Sequence, residues 1–320
     1  MTGRLESGEG DMSDRLEGKP VRRIVVMSLR QKLGLHDVVA WWRIFRLIRR
    51  ERPDIVHTHT AKAGTLGRSA TVAHNALLWL SARLTSRPSW PCRMVHTFHG
   101  HVLDGYFSAW VTRVFVMIER WLARCSDRLI AVSPAVRDDL LAKKIGRPEQ
   151  WRVIPLGLDL AVLAQVPPPA ESSPVRIGMV GRLVPVKNPG LFLSALSRAS
   201  SYQPNTPLTG VVVGDGPLRP ALEAQARRLG LDGRVRFTGW QRDVRALYEG
   251  LAVACLTSWN EGTPVALIEA MAAGHPVVAT EVGGVSDLLR GEGGPAGPIP
   301  AGEFCVTERG ILVRPGNEEG

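Results

Sequence analysis

The chain has 320 residues, of which 44% are hydrophobic, and it carries a formal net charge of +10. This length allows two domains with buried cores. A mean hydropathy of -0.01 and the absence of an apolar run near ~18 residues argue against a membrane-spanning helix. The four cysteines have neither C-x-x-C nor metal-ligand spacing, which favours reduced thiols in a cytosolic protein.

The positive charge is concentrated in the first half of the chain. Residues 1–157 carry 26 Lys+Arg against 14 Asp+Glu, whereas residues 158–320 carry 14 against 16. This asymmetry predicts that the first half meets an anionic partner, either a membrane surface, a phosphate-bearing acceptor or a nucleic acid. Zinc-finger spacing and an RNA-binding aromatic signature are both missing. Nucleic acid is therefore the least favoured of the three partners, and we predict that the protein does not bind it.

Residues 1–20 form a charged, Gly-rich start without an apolar stretch. A secretory signal requires an apolar stretch, so this segment does not resemble one. Its composition instead predicts a disordered leader.

Short β-branched runs then alternate with amphipathic segments, a pattern typical of a parallel α/β sheet. We predict strands at RRIVVMS, PDIVHTH, RMVHTFH and DRLIAVS. Between the first two lies HDVVAWWRIFRLIRRERP, with Trp41, Ile44, Phe45 and Ile48 on one face and arginines at other positions. Such a helix could dock on anionic lipid. A strand follows at once, however, and this favours a crossover helix whose apolar stripe packs on the sheet.

Histidines cluster at the ends of two of these strands, at His57, His59, His96, His99 and His101. Two H-x-H pairs could hold a metal ion. No carboxylate or thiol has matching spacing, and strand-end histidines commonly line a cleft as polar groups. We therefore predict no metal site here.

The Pro-rich stretch QVPPPAESSP, residues 165–174, has the composition of a linker. A second α/β pattern follows, with strands predicted at VRIGMVGRL, LTGVVVGDG, RVRFTGW, AVACLTS and HPVVATE. Helices are predicted at NPGLFLSALSRA, PLRPALEAQARRLG, RDVRALYEG and TPVALIEAMAAG, and RGEGGPAGPIPAGEF is predicted to be a loop. We divide the chain into a first domain at residues 21–157 and a second at residues 158–320.

The stretch NEGTPVALIEAMAAG contains two glutamates, Glu261 and Glu269, around a predicted helix start. Thr263 suits the N-cap position, Pro264 suits the first helical position, and Gly274 is a typical helix stop. The unpaired N–H groups of a helix start form a ready anion site. Taken alone, the two glutamates could equally be a solvent-facing loop residue and a helix-surface charge.

Two further loops follow predicted strands. In GMVGRLVPVKNPG, Gly181 turns the chain, and Arg182 and Lys187 could together hold a diphosphate, although either cation alone would be an ordinary surface residue. VVVGDGPL, which includes Gly214, resembles the start of a dinucleotide fingerprint, but Arg219 replaces its third glycine. It is therefore weak evidence for NAD and favours a tight strand-to-helix turn.

These motifs resemble a known family. VGRLVPVKNP, VVVGDGPL, RVRFTGW and EGTPVALIEAMAAGHPVVATEVGG closely resemble the C-terminal domain of family-4 glycosyltransferases, and the glutamate pair resembles the E-x7-E motif of that family. PDIVHTHTAKAGTLGR, VHTFHGHV, DRLIAVSPAVRDDL and VIPLGLDL resemble its N-terminal domain. The resemblance implies an α/β protein of GT-B architecture, with two Rossmann-like domains facing across a cleft.

The resemblance also implies roles for individual residues. Arg182 and Lys187 would hold the donor diphosphate, and Glu269 would accept hydrogen bonds from the ribose hydroxyls. Glu261 would contact hydroxyls of the donor sugar, and His99 would face that sugar. The remaining donor-binding positions implied by the resemblance are Gly181, Gly214, Gly239, Trp240, Gly262, Thr263, Pro264 and Val265.

The family retains anomeric configuration without a metal, and no D-x-D motif is present to hold one, so we expect no cofactor. The predicted reaction moves a sugar from a nucleotide-sugar donor to a lipid-linked or polysaccharide acceptor. We expect the donor to be a UDP-sugar. The expected location is the cytoplasm, peripherally on the inner membrane face. Neutralising charge on the departing diphosphate would be the main catalytic work, because the transition state is oxocarbenium-like.

Three other functions stay open at this point. One is a nucleotide-sugar-binding remnant without turnover, and another is a nucleotide-sugar epimerase that needs no acceptor. A glycoside hydrolase using the glutamate pair ranks below both, because it would leave the phosphate-binding features without a role. Family members have a strand, a Gly-rich loop, a helix and a second strand before the region that starts here near Val21, and further helices at the end. The resemblance therefore implies a chain truncated at both ends, with an incomplete first domain.

Overall fold

The chain divides into two compact units, Met1–Pro155 and Leu156–Gly320. This division lies two residues before the boundary expected from the sequence. The computed structural model describes residues 1–3, 16, 18–30, 34–85, 90–100, 109–168, 174–291, 297, 299–300 and 302–316.

Unit 1 contains a four-stranded parallel sheet in the order β1-β2-β3-β4, with helices before and between the strands. Its strands are β1 (Ile55–His59), β2 (Arg93–Phe98), β3 (Arg128–Ala131) and β4 (Trp151–Val153). Its helices are α1 (His36–Glu51), α2 (Ala61–Thr85), α3 (Ala109–Cys125) and α4 (Pro134–Ala142). Sequential strands that pair in parallel require crossover helices, so the predicted βα alternation is confirmed.

The prediction of a strand at RRIVVMS is wrong. Val25 forms only an isolated parallel bridge with Thr2, through hydrogen bonds from Thr2 N to Ile24 O and from Val26 N to Thr2 O. A single bridge cannot build a ladder, although the Val26 side chain is buried. Residues 1–3 thus pair with unit 1, while residues 4–15 and 17 of the predicted leader lie outside the described residues.

Helix α1 is the crossover helix favoured by its sequence. Ile44, Phe45 and Ile48 are buried in a core shared with α2 and β1, and the indole N–H of Trp41 donates to Ser69 Oγ on α2 at 3.0 Å. The apolar stripe therefore packs against protein, as in a crossover helix, while Val38, Val39 and Trp42 of α1 stay exposed.

Unit 2 contains a seven-stranded sheet in the order β10-β11-β9-β8-β5-β6-β7. Its strands are β5 (Val175–Val180), β6 (Leu208–Val213), β7 (Val235–Gly239), β8 (Val253–Leu256), β9 (Val277–Thr280), β10 (Phe304–Thr307) and β11 (Gly310–Val313). Its helices are α5 (Pro189–Tyr202), α6 (Arg219–Arg228), α7 (Val244–Tyr248), α8 (Val265–Ala272) and α9 (Gly284–Arg290). Among the strands that the structure describes, only the edge strand β10 is antiparallel to its neighbour.

The sheet of unit 2 is covered on both faces. Val211 and Val213 of β6 pack with α8 and α9, whereas Val212 packs with α5 and α6, as the alternation of side chains along a strand requires. The order β7-β6-β5-β8-β9 is that of a Rossmann sheet, with the direction of winding reversing between β5 and β8. Ligands of such sheets bind outside the carboxyl ends of the strands at this reversal.

Two segments of unit 2 differ from the sequence analysis. Leu163 and Val166, next to or within the predicted linker, are buried in the core of unit 2 because both are apolar, and residues 169–173 lie outside the described residues. The hairpin β10–β11 was not predicted: it begins at Phe304, where the predicted loop ends, and pairs with β9 through β11. Strands of four residues at a sheet edge carry too little periodicity to be recognised.

Candidate functional site

The loops after β5 and β8 meet at the reversal point of the sheet. Trp259 N–H donates to Val186 O at 2.8 Å, and the Thr257 hydroxyl lies 3.0 Å from Lys187 O and 2.9 Å from Asn188 O. These bonds hold the loop that carries Lys187 against the loop that carries Glu261. Residues 74 positions apart in sequence therefore become neighbours.

Three glycines lie together at the carboxyl ends of β5, β6 and β7. Gly181 N–H donates to Val213 O at 2.9 Å, and Gly214 N–H donates to Gly239 O at 2.9 Å. Gly214 has a φ of +128°, and a Cβ there would lie 2.0 Å from Gly181 O. Only glycine permits this approach. The backbone beside the Lys187 loop is therefore not covered by side chains at these three positions.

Lys187 and Glu261 form an ion pair, with Nζ 2.5 Å from Oε1. The Ser258 hydroxyl donates to the same oxygen at 2.6 Å. Glu261 is buried, and Ser258 is fully buried. The interpretation of Glu261 as a solvent-facing loop residue is therefore wrong, because its carboxylate has two partners inside the protein. The half-buried ammonium of Lys187 is thus held next to a buried carboxylate at the reversal point.

Three residues that the sequence analysis did not single out support the loop of Glu261. The Thr280 hydroxyl donates to Ser258 O at 2.6 Å. Gly283 has a φ of +46°, and a Cβ there would lie 2.0 Å from Glu261 O, while Gly284 N–H donates to that oxygen at 3.2 Å. The Gly-Gly pair in the loop after β9 was the available sequence signal, since close backbone approach requires glycine.

Helix α8 begins at Val265 with Pro264 at the N-cap position and no side-chain cap. The predicted capping by Thr263 is wrong: Val265 N–H bonds to the backbone oxygen of Thr263, and Thr263 Oγ1 has no partner in the described structure. Within the same part of the chain, no backbone acceptor takes the N–H groups of Gly262 or Thr263. The helix start thus presents donors and a positive dipole end.

The predicted end of α8 is confirmed. Gly274 has a φ of +79°, and His275 N–H donates to Ala270 O at 3.0 Å. A left-handed glycine with this reverse hydrogen bond is the usual C-terminal motif of a helix.

Glu269 lies on the second turn of α8 and is held by Tyr248, which the sequence analysis did not single out. The Tyr248 hydroxyl is 2.8 Å from Glu269 Oε2 and 3.0 Å from Ala266 O. The Tyr248 side chain is fully buried. Burial first, and then the charge of Glu269, raise the pKa of Tyr248 well above its usual range, so it stays a neutral donor.

Arg182 and Trp240 lie on the surface. The Arg182 side chain is exposed, and the described residues provide no ion pair or hydrogen bond for its guanidinium. Trp240 is 47% exposed, and the guanidinium of Arg242 lies 5.6 Å from the centre of its ring. Both side chains are therefore accessible to a ligand.

In unit 1, three exposed histidines lie at the carboxyl ends of β1 and β2. His59 Nδ1 is 2.9 Å from His99 Nε2, and His57 Nε2 is 2.8 Å from Thr97 Oγ1. Although exposed, all three histidines are partly desolvated by their neighbours, which lowers their pKa values, so the neutral imidazole is favoured at pH 7. Among the residues that the structure describes, no cluster of three or more potential metal ligands forms a metal site. His101 lies outside those residues.

His96 belongs to the interior instead. It is fully buried, its Nδ1 lies 2.8 Å from Thr58 Oγ1, and burial, followed by the nearby Arg68, lowers its pKa to about 2. Arg68 is also fully buried, and its Nη2 donates to both carboxylate oxygens of Glu119, at 2.8 and 2.7 Å. These residues join α2 to β2 and α3 beneath the exposed histidines.

Two family descriptions together match nearly the whole chain. "Glycosyl transferase 4-like domain" matches residues 5–157, and "Glycosyl transferases group 1" matches residues 174–320. A two-unit α/β chain with a charged site at a Rossmann reversal point fits both descriptions. The chain belongs to the group 1, or family-4, glycosyltransferases.

Curated relatives are similar over most of this chain. The UDP-Gal:alpha-D-GlcNAc-diphosphoundecaprenol alpha-1,3-galactosyltransferase of Escherichia coli is 29% identical over 88% of this chain and 72% of its own length. A D-inositol 3-phosphate glycosyltransferase of Kribbella flavida is 26% identical, covering 83% and 64%. A glycogen synthase of Mycobacterium tuberculosis is 30% identical, covering 82% and 61%. The chain thus spans about two thirds of these relatives, and the expected truncation stays a prediction.

Solved structures of GT-B proteins match the fold. Anabaena HepE in complex with UDP and glucose has a TM-score of 0.67, at 22% identity over 96% of this chain and 76% of that chain. The lipopolysaccharide outer core galactosyltransferase WaaB has a TM-score of 0.55, at 20% identity over 89% and 68%. The fold class is therefore α/β of the GT-B type, as predicted. No helix among the described residues is long and apolar enough to cross a membrane.

Proposed function

We propose that this chain carries the machinery of a retaining glycosyltransferase that moves a sugar from a UDP-sugar to a lipid-linked or polysaccharide acceptor. The observation that carries this proposal is the Lys187–Glu261 pair at the reversal point of unit 2, next to the open start of α8. The name of the Escherichia coli relative, with a UDP-galactose donor and a diphosphoundecaprenol-linked acceptor, supports the substrate classes.

The donor diphosphate would be held by cations and backbone donors. Lys187 would turn from Glu261 to the diphosphate, and the exposed Arg182 would close on it with its planar fork. The N–H groups of Gly262 and Thr263 would add donors at the positive end of α8. These groups stabilise the negative charge that develops on the leaving UDP, and this role requires no metal ion.

The rest of the donor would follow from the same arrangement. Glu269 would accept hydrogen bonds from the ribose hydroxyls, and Gly239 and Trp240 would border the base. Glu261, once released by Lys187, would accept from hydroxyls of the donor sugar. His99 would face that sugar as a neutral imidazole, because partial desolvation lowers its pKa. A neutral ring can donate or accept a hydrogen bond there without adding a charge.

This proposal is tested by incubating the protein with UDP-, ADP- and GDP-sugars, with and without a polyprenyl-diphosphate sugar acceptor. We expect UDP release and a product of retained anomeric configuration only when the acceptor is present, and the same rate with EDTA. UDP binding by calorimetry without release would favour the non-catalytic alternative. A new sugar nucleotide formed from the donor alone would favour the epimerase. Absence of both binding and release would contradict the proposal.

We further propose that unit 1 meets an anionic bilayer through one face of α3. Trp110, Met117 and Trp121 are 72%, 59% and 47% exposed, and Arg113 and Arg124 are exposed beside them. At 3.6 residues per turn these five side chains fall within an arc of about 80°. Aromatic and basic residues on one face are the composition of a helix that lies in a membrane interface.

The charge of α3 supports an anionic partner. Its only acidic residue, Glu119, points to the opposite side and is buried against Arg68. The exposed face of the helix therefore carries positive charge alone, and each arginine near an anionic lipid surface contributes about 1 kcal/mol.

The Arg113→Gln/Arg124→Gln variant is expected to bind vesicles of phosphatidylglycerol and phosphatidylcholine roughly 10- to 30-fold more weakly than the unaltered protein. Co-sedimentation with vesicles measures this change. Arg227→Gln/Arg228→Gln, on α6 of unit 2, is the matched control and should bind normally. Equal binding of both variants, or equal binding of the unaltered protein to neutral vesicles, would contradict the assignment.

A further inference from the structure

We infer that Tyr248 is a positioning residue that sets Glu269 for the ribose of the nucleotide donor. The inference rests on the proposed donor role of Glu269 and adds a specificity device to it. It draws on a hydrogen bond between two elements of unit 2, α7 and α8, that the sequence does not bring together.

The ring of Tyr248 is anchored in the core. It is fully buried and belongs to the apolar cluster that includes Leu251, Leu267 and Ala270. From this position at the end of α7, its hydroxyl reaches α8 and lies 2.8 Å from Glu269 Oε2. A phenylalanine would fill the same space, so the packing does not account for the hydroxyl.

The hydroxyl has one proton and two acceptors within reach. Ala266 O lies at 3.0 Å and Glu269 Oε2 at 2.8 Å. The carboxylate is the nearer and the charged acceptor, so it takes the proton in the stronger bond. Tyr248 remains a neutral donor at working pH, since burial disfavours the phenolate.

This bond leaves Glu269 with one oxygen tied to the protein and the other available. Within the described part of the chain, no hydrogen bond involves Glu269 Oε1. A free glutamate loses rotamer entropy when it binds a ligand, whereas a glutamate already held in one rotamer does not. Tyr248 would thus present Oε1 to a vicinal diol in one fixed direction, which favours ribonucleotides over their deoxy forms.

The Tyr248→Phe variant isolates the hydroxyl. Calorimetry would compare UDP with 2′,3′-dideoxy-UDP, which lacks both hydroxyls that Glu269 would bind. We expect Tyr248→Phe to weaken UDP binding about tenfold, in line with the loss of a hydrogen bond to a charged group, and to leave binding of the dideoxy analogue unchanged. Tyr202→Phe is the matched control, because Tyr202 is 75% exposed, and it should change neither affinity.

Glu269→Ala is measured with the same two ligands. If it weakens UDP binding selectively while Tyr248→Phe does not, the positioning role is wrong and the donor role of Glu269 stands. If Tyr248→Phe weakens both ligands equally, the hydroxyl acts on the general structure and the inference is overturned. If Glu269→Ala does not distinguish the ligands, or the unaltered protein binds no UDP, the proposed donor site fails and the inference fails with it.

Discussion

The Lys187→Ala variant is expected to lose about 10²–10³-fold in kcat for sugar transfer. Its ammonium is the half-buried cation at the reversal point of unit 2, 2.5 Å from Glu261 Oε1. Charge on the leaving diphosphate is greatest in the transition state, so removing this cation should lower kcat more than it raises KM for the donor. Steady-state kinetics with UDP-sugar and acceptor measure both constants.

Two controls separate this effect from a change in folding. Removing Lys187 leaves the buried carboxylate of Glu261 with Ser258 as its remaining hydrogen-bond donor, so thermal unfolding of the variant must be measured beside its kinetics. Lys187→Arg keeps the charge and should retain more activity than the alanine variant. Arg182→Ala removes an exposed cation and should cost less than Lys187→Ala. Near-normal kcat in a folded Lys187→Ala protein would refute the assigned role.

The Arg68→Met variant is expected to destabilise unit 1 by about 3–5 kcal/mol. Arg68 is fully buried, and its two hydrogen bonds to Glu119 are the ones that neutralise that buried carboxylate. Removing the guanidinium leaves an uncompensated charge between α2 and α3. Hydrogen exchange of the amides in α2, α3 and β2 measures the loss in unit 1 separately from unit 2.

The matched control removes both charges. Arg68→Met/Glu119→Leu replaces the pair with apolar side chains of similar volume and should recover most of the lost stability, because the cost comes from the unpaired charge. Amide protection in unit 2 should be unchanged in both variants. Equal destabilisation by the single and the double variant would mean that packing of Arg68, not charge, holds the helices together.

The β strands that were predicted correctly share one property. β5, β6, β8 and β9 are short, mainly apolar runs that end at or just before glycine or threonine, so their pattern is local and could be recognised directly. RRIVVMS has the same composition and forms only a bridge with Thr2. Whether such a run becomes a strand depends on a partner strand, and that partner is not visible in the run itself.

The candidate site, too, could be predicted from the sequence only in part. The types of residue at Lys187, Glu261 and Glu269 indicated a phosphate- and sugar-binding site from the sequence. The bond from Tyr248 to Glu269, and the approach of Gly283 to Glu261 O, could not be predicted. Each joins two separate elements, 21 residues apart in the case of Tyr248 and Glu269, and the local pattern of one element does not show which group of another element it will contact.

The sequence by itself determined the α/β class, the βα rhythm of both units and the family of the protein, because strand and helix periodicity and glycine-rich turns are local properties. Only the tertiary structure decided which groups face each other. The winding of the sheet reverses between β5 and β8, and this reversal brings the Lys187 and Glu261 loops together. Burial then turned Glu261 from a possible surface charge into the partner of Lys187, since a buried carboxylate must find a donor or a cation.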